Sequence, residues 1–165
     1  MEKAIRLAST TDLPRIMQIY AHARQFMAEH GNPRQWGATN WPPEDLIRED
    51  IQAGRSYVCT VDGRVVGVFC YLFGDNPEPG YRSINGEWKT NAPYGVVHRM
   101  AADGSERGVG AFCLDWAYGQ CHHLRVDTHP DNIVMQNLLT KLGFVKCGII
   151  HVQEDNDPRF AYEKL

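Results

Sequence analysis

Cysteine is sparse and badly spaced for a framework: five in 165 residues, at 59, 70, 113, 121 and 147, with no C-x-x-C pair. That pattern supports neither a zinc ribbon nor a redox motif and reads as core thiols of a reducing compartment, so a cytoplasmic protein is expected. The run Cys121-His122-His123 has no further ligands at helical spacing, and its neighbouring side chains diverge; no metal is expected. Basic residues are not in excess, with 17 Lys and Arg against 20 Asp and Glu and a net charge of −3. Without a basic stripe, nucleic acid is not an expected partner. No apolar run approaches the ~18 residues of a membrane span, and the opening MEKAIRLAST has no signal-peptide core, so no membrane partner is expected either. Repeats, low-complexity tracts and linkers are missing. The length suits one domain, residues 1–165, with a sizeable core.

Periodicity organises what is present. Ala4 to Ser9 alternates as a strand. Leu13, Ile16, Met17, Tyr20, Ala23 and Met27 recur at three and four residues, predicting a helix that ends near His30-Gly31. After the irregular GNPRQWGATNWPP, a second helix runs from Pro43 to Ala53. SYVCTVDGRVVGVFCYLF reads as a hairpin about Asp62-Gly63, a dipeptide that accepts positive φ. YGVVHRMAA is a strand, Val109 to Ala117 a helix, LRVDTH a strand, and Pro130 to Leu142 a helix with Asp131 in its first turn and Gly143 as its stop. FVKCGIIHV and RFAYEKL are strands across the turn EDNDP. The order β α α β β β α β α β β contains a strand-helix-strand crossover and therefore a parallel pair within a mixed α/β sheet.

The stretch DGSERGVGAF, Asp103 to Phe112, joins a strand to a helix. Gly108 and Gly110 leave room for backbone N–H groups from Arg107 to Phe112 to converge on an anion at the positive end of a helix, with Ser105 and Arg107 adding a hydroxyl and a charge. Alternatively the glycines serve only a tight strand-to-helix turn. The loop has neither G-K-[ST] nor G-x-G-x-x-G, which argues against a nucleoside-triphosphate or dinucleotide enzyme.

The succession SERGVGAF, LRVDTH, DNIVMQNLLTKLGF resembles the GNAT superfamily of acetyl-CoA-dependent N-acetyltransferases over nearly the whole chain. Gly108-Val109-Gly110 matches the two glycines of R/Q-x-x-G-x-G/A, Asn132 the Asn after the next strand, and Lys141 to Phe144 the closing K-x-G-F. The final CGIIHVQEDNDPRFAYEKL is similar to a bacterial subgroup of unsettled substrate. The resemblance implies a mostly antiparallel sheet whose central parallel pair splays around acetyl-CoA. Met100, Ala101 and Ala102 would pair with the pantetheine arm, Arg107 to Ala111 would hold the pyrophosphate, and the N–H of Met100 or Ala101 would serve the carbonyl oxygen. Two positions depart from the pattern. Ser105 replaces the usual Arg or Gln, and Leu139 replaces a tyrosine that protonates the leaving thiolate.

Acetylation of an amine also needs a proton acceptor. His98, on the face that period two assigns to Tyr94, Val96 and Met100, is one candidate; a histidine satisfied within the sheet is the alternative. Asp127 and His129 share a face and could form a polarised pair; the alternative is that Thr128, His129 and Asp131 shape the turn and cap the next helix. Glu87 is a second base, an ammonium anchor or a solvated loop residue. Trp36, Trp88 and Tyr94 are candidates for contact with the substrate, and Tyr94 and Tyr162 are possible acids or packing residues. The predicted function is acetyl transfer to a primary amine of a small molecule or peptide; a non-catalytic acetyl-CoA binder is the alternative. The exposed aromatic loop is compatible with a homodimer.

Overall fold

The computed structural model describes residues 2–152 and 155–165. Eight strands form one sheet: β1 Lys3–Leu7, β2 Ser56–Val61, β3 Arg64–Gly74, β4 Asn85–Gly86, β5 Tyr94–Ala102, β6 Leu124–Thr128, β7 Val145–His151 and β8 Pro158–Lys164. Their order across the sheet is β1-β2-β3-β5-β6-β8-β7-β4, with β5-β6 parallel and the other pairs antiparallel. The helices are α1 Leu13–Glu29, α2 Glu44–Gln52, α3 Val109–Cys121 and α4 Ile133–Lys141. Buried Ile16, Ile19, Tyr20 and Ile47 of α1 and α2 cover one face with Val58, Val68 and Ala101. Val109, Cys113, Leu114 and Ala117 of α3 cover the other with Cys59, Phe69, Val97 and Val126.

The expected element order holds with one addition. The two-residue β4 pairs with the β7 edge, Asn85 opposite Ile149, in a stretch whose polar sequence has no alternation to reveal it. The hairpin turns at Asp62 (φ 51°) and Gly63 (φ 80°). The last helix begins later than its sequence suggests. Asn132 caps it by accepting from the Met135 N–H at 3.0 Å, while Asp131 stays in the preceding turn, its N–H donating to His129 Nδ1 at 3.0 Å. Glu154, within the predicted EDNDP turn, lies outside the described residues. Among those residues no helix is long and apolar enough to cross a membrane.

The entry to α1 carries a pH-dependent contribution. Asp12 accepts both guanidinium nitrogens of Arg6 (2.8 and 3.0 Å) and the Ser9 N–H (2.8 Å). The Arg6 hydrogen bond is the main reason its carboxyl is pulled down to about 2. A carboxylate held low in the fold contributes stability that is present above its unfolded pKa of about 4 and lost as pH falls toward 2. Asp12→Asn is therefore expected to lower Tm at pH 7, and thermal scans at pH 7 and at about 2 should show the difference shrinking in acid.

Candidate active site

The central parallel pair is the origin of the cleft. β5 and β6 are in register only at Gly95–Leu124 and Val96–Arg125. Beyond Val96 the strands splay, so the β5 edge from Val97 to Ala102 has no β6 ladder partner among the described residues. A β-bulge sharpens the effect: Val68 pairs with Ala101 but Cys70 with His98, so two residues of β5, Arg99 and Met100, oppose Phe69 alone. Arg99 adopts φ 52°, a left-handed conformation that a non-glycine residue holds only when its surroundings fix it.

Those surroundings are visible. The Tyr20 hydroxyl donates to the Arg99 carbonyl at 2.7 Å, and the Arg99 guanidinium donates to both Asp50 oxygens at 3.0 and 3.1 Å. Asp50, with 2% of its side chain exposed, also accepts from Arg55 at 2.7 Å. Removing one partner of such a buried cluster leaves uncompensated charge at a cost of about 3–5 kcal/mol. Asp50→Ala is expected to lower Tm by roughly 10 °C in calorimetry, since 1 kcal/mol moves a domain of this size by about 2–4 °C.

The bulge corrects the period-two reading of β5. Val97 and Met100 both join the core beneath α3, while Ala101 turns to the α1 side. Met100 therefore does not share a face with His98, because the extra residue shifts alternation by one.

Two cavities meet in the cleft at Met27, Met100, Asn132 and Met135. The smaller, about 260 Å³, lies toward the start of α3 and is walled by Ala101, Ala102, Gly104, Val109, Gly110 and Leu138. The first hydrogen bond of α3 runs from Phe112 N–H to Gly108 O (2.9 Å), so the N–H groups of Val109, Gly110 and Ala111 have no helical carbonyl to meet. Gly108 caps the helix at φ 73°. A Cβ at Gly110 would lie 3.2 Å from Leu138 Cδ2 and 3.5 Å from Met100 Cε, narrowing the cavity where it is already tight. The Ser105 hydroxyl is engaged by Asp103 (2.6 Å) and by Arg64 (3.0 Å), so it shapes the loop. Arg107 is exposed. Ser105, Arg107, Gly108 and Ala111 do not line the cavity; Met100, Ala101, Ala102, Val109, Gly110 and Asn132 do.

The larger cavity, about 430 Å³, lies across the junction. Into it come His98 and Glu78, joined Nε2 to Oε2 at 3.0 Å, and Asp127, whose Oδ2 accepts from the Tyr81 hydroxyl at 2.7 Å. Glu78 is the partner that the sequence does not reveal, twenty residues before His98 and outside any motif. It starts the 3-10 turn Pro79–Ser83, where its Oε1 accepts the Gly80 N–H at 3.2 Å. The His98 hydrogen bond is the main cause holding the Glu78 carboxyl below the usual carboxylate range. Burial, then the Asp127 charge, pushes the Tyr81 phenol well above its ordinary value, so it remains a donor. Trp36 and Trp41 of the irregular loop also line this cavity.

The other expected residues are placed elsewhere. Asp127 and His129 are not a pair: His129 Nε2 lies 2.8 Å from Asp157 Oδ2, and its Nδ1 accepts the Asp131 N–H. Strand β6 ends at Thr128, so period two no longer aligns residue 129. Glu87 is exposed and outside both cavities, its backbone N–H donating to Cys147 O at 3.1 Å. Trp88 donates to the Tyr81 carbonyl at 2.8 Å, and with Tyr94 it sandwiches the Arg125 guanidinium at 4.1 Å from each ring. Neither lines either of these two cavities, and Tyr94 donates to Asn76 at 3.2 Å. Tyr162 and Leu139 are buried in the core beneath α3.

A mixed sheet that opens between two parallel strands, with a helix N-terminus at one end of the gap, is the acetyltransferase architecture that the sequence resemblance implied. The profile of the Acetyltransferase (GNAT) family matches residues 13–144, and the chain belongs to that family. Among solved structures, a GNAT-family acetyltransferase from Streptococcus agalactiae is 30% identical, with a TM-score of 0.82 over 99% of this chain and 95% of that one. A GNAT-family acetyltransferase from Listeria monocytogenes shares the fold at 18% identity and a TM-score of 0.72, covering 99% and 95% of the two chains. The ribosomal-protein-S18-alanine N-acetyltransferase from Escherichia coli does so at 15% and 0.64, covering 99% and 93%. No curated protein matches the sequence.

Proposed function

We propose that the protein is a single-domain cytoplasmic N-acetyltransferase that moves the acetyl group of acetyl-CoA to a primary amine by direct attack. The observation that carries this reading is the meeting of two cavities at Met100, one beside an amide-rich helix start and the other holding a histidine-carboxylate pair. The N–H groups of Val109, Gly110 and Ala111 receive the pyrophosphate, where helix-end amides favour an anion. The open β5 edge from Met100 to Ala102 offers main-chain groups to the pantetheine arm. Main-chain N–H at the bulge, from Met100 or Ala101, donates to the thioester oxygen as it gains charge.

His98 takes the proton. A carboxylate at Nε2 favours hydrogen on that nitrogen and leaves Nδ1 as the basic site, directly or through water. The amine nitrogen forms the new C–N bond, the C–S bond breaks, and its electron pair leaves with sulfur as the CoA thiolate. Leu139, deep in the core, has no proton to give, and a thiolate is a tolerable leaving group near neutral pH. Calorimetric titration with acetyl-CoA, followed by amine-dependent thiol release, tests the reading. Binding without release for any amine would favour the non-catalytic alternative, and no binding would refute both.

A further inference from the structure

The larger cavity carries a charge imbalance that bears on what the acceptor is. Two arginines line it, but each already has its own carboxylate: Arg99 with Asp50 at 2.9 Å, and Arg159, 1% exposed, with Asp155 at 2.8 Å. Glu78 is engaged by His98. Asp127 differs from Glu78, the other lining carboxylate. It is half-buried, one oxygen accepts the neutral Tyr81 hydroxyl, and among the described residues no cation reaches it and no donor meets Oδ1. A partly desolvated carboxylate without a counterion is costly in a protein interior. Elsewhere the cavity lining includes apolar and aromatic side chains: Met27, Leu46, Trp36 and Trp41. Such walls suit methylene groups and the faces of ammonium ions.

From this geometry we infer that the acceptor is a short α,ω-diamine. One amine meets His98 and Glu78, and the second, as an ammonium ion, sits on Asp127. Asp127 is then a specificity residue and takes no part in the proton transfer. The same charges select against an amino acid or any acceptor with a distal carboxylate, because each lining arginine is already neutralised by its own carboxylate and Asp127 repels a second anion. His151, the other imidazole in the lining, is exposed.

This inference rests on the acetyl-transfer reading and is tested with three four-carbon amines that differ only at the far end: 1,4-diaminobutane, 1-aminobutane and 4-aminobutanoate. Thiol release from acetyl-CoA should give kcat/KM in that order, with the diamine ahead of the monoamine by at least about tenfold, the worth of one sheltered ion pair. Most of the difference should lie in KM. Asp127→Asn keeps an oxygen for the Tyr81 hydroxyl, and it should lower kcat/KM for the diamine about tenfold more than for the monoamine. Equal use of diamine and monoamine, preference for the aminobutanoate, or an equal fall for every amine in Asp127→Asn would overturn the inference. Should the variant fail to fold, the ratios of the unaltered protein decide alone. Calorimetry separates the two readings: acetyl-CoA binding without diamine turnover sinks the diamine assignment only, whereas no acetyl-CoA binding sinks both.

Discussion

His98→Ala is expected to lower kcat/KM for amine acetylation by about 10²–10⁴-fold, the usual worth of a positioned acid-base group, with acetyl-CoA affinity retained. The loss should be largest at neutral pH, where an amine arrives mostly as its ammonium ion and must lose a proton before it can attack. Raising the pH supplies neutral amine from solution, so the variant should recover part of its rate while the unaltered enzyme gains less. Glu78→Gln should give a smaller loss, because glutamine can still orient the ring at 3.0 Å but no longer supports a positive imidazole. A pH profile of kcat/KM for the three proteins checks the sequence of effects. If His98→Ala turned over at the unaltered rate near neutrality, the pair would be a packing feature of β5 and the proton would leave by another route.

The second large effect concerns the loop at the start of α3. Gly110→Leu should weaken acetyl-CoA binding by at least about 100-fold in calorimetry, since displacing a ligand from a site it fills forfeits both burial and the amide contacts. Even a Cβ here would press on Leu138 and touch Met100, and leucine would extend into the smaller cavity beside them. Gly110 has negative φ, so the substitution adds bulk without forcing the backbone. Gly108→Ala makes the contrasting case. Nothing lies within 4 Å of its added Cβ, but its φ of 73° disfavours any side chain, so the effect should fall on stability, about 1 kcal/mol, before it falls on affinity. Undiminished affinity in Gly110→Leu with the fold intact would move the CoA arm out of this cavity.

Much of the architecture is legible in the chain because it depends on neighbours in sequence. The hairpin at Asp62-Gly63, the amphipathic spacing of α1 and the glycine-bearing entry to α3 are local signals, and local steric and hydrophobic rules read them directly. The strand-helix-strand succession also required a parallel pair, and the resemblance carried by Gly108, Gly110, Asn132 and Lys141 to Phe144 led to the same sheet. The site was only partly legible. His98 stood out as a histidine ahead of the expected acetyl position, but Glu78 and Tyr81 come from a polar connection with no periodicity, and only folding brings them to His98 and Asp127. The opposite error occurred at Glu87, Trp88 and Tyr94, which are close to the cleft in sequence: the Glu87 side chain is exposed while its main chain bonds to β7, and Trp88 and Tyr94 enclose Arg125. The bulge at Arg99 was invisible for the same reason. Arg99 there is held by a buried pairing with Asp50 forty-nine residues away, and the one extra residue turns Met100 from the face of His98 to the face beneath α3. Sequence determined which segments become strands and helices, since backbone sterics and side-chain period act over a few residues. Tertiary structure decided which charges face the cleft and which are neutralised, because a counterion is a partner in space and its position along the chain is free.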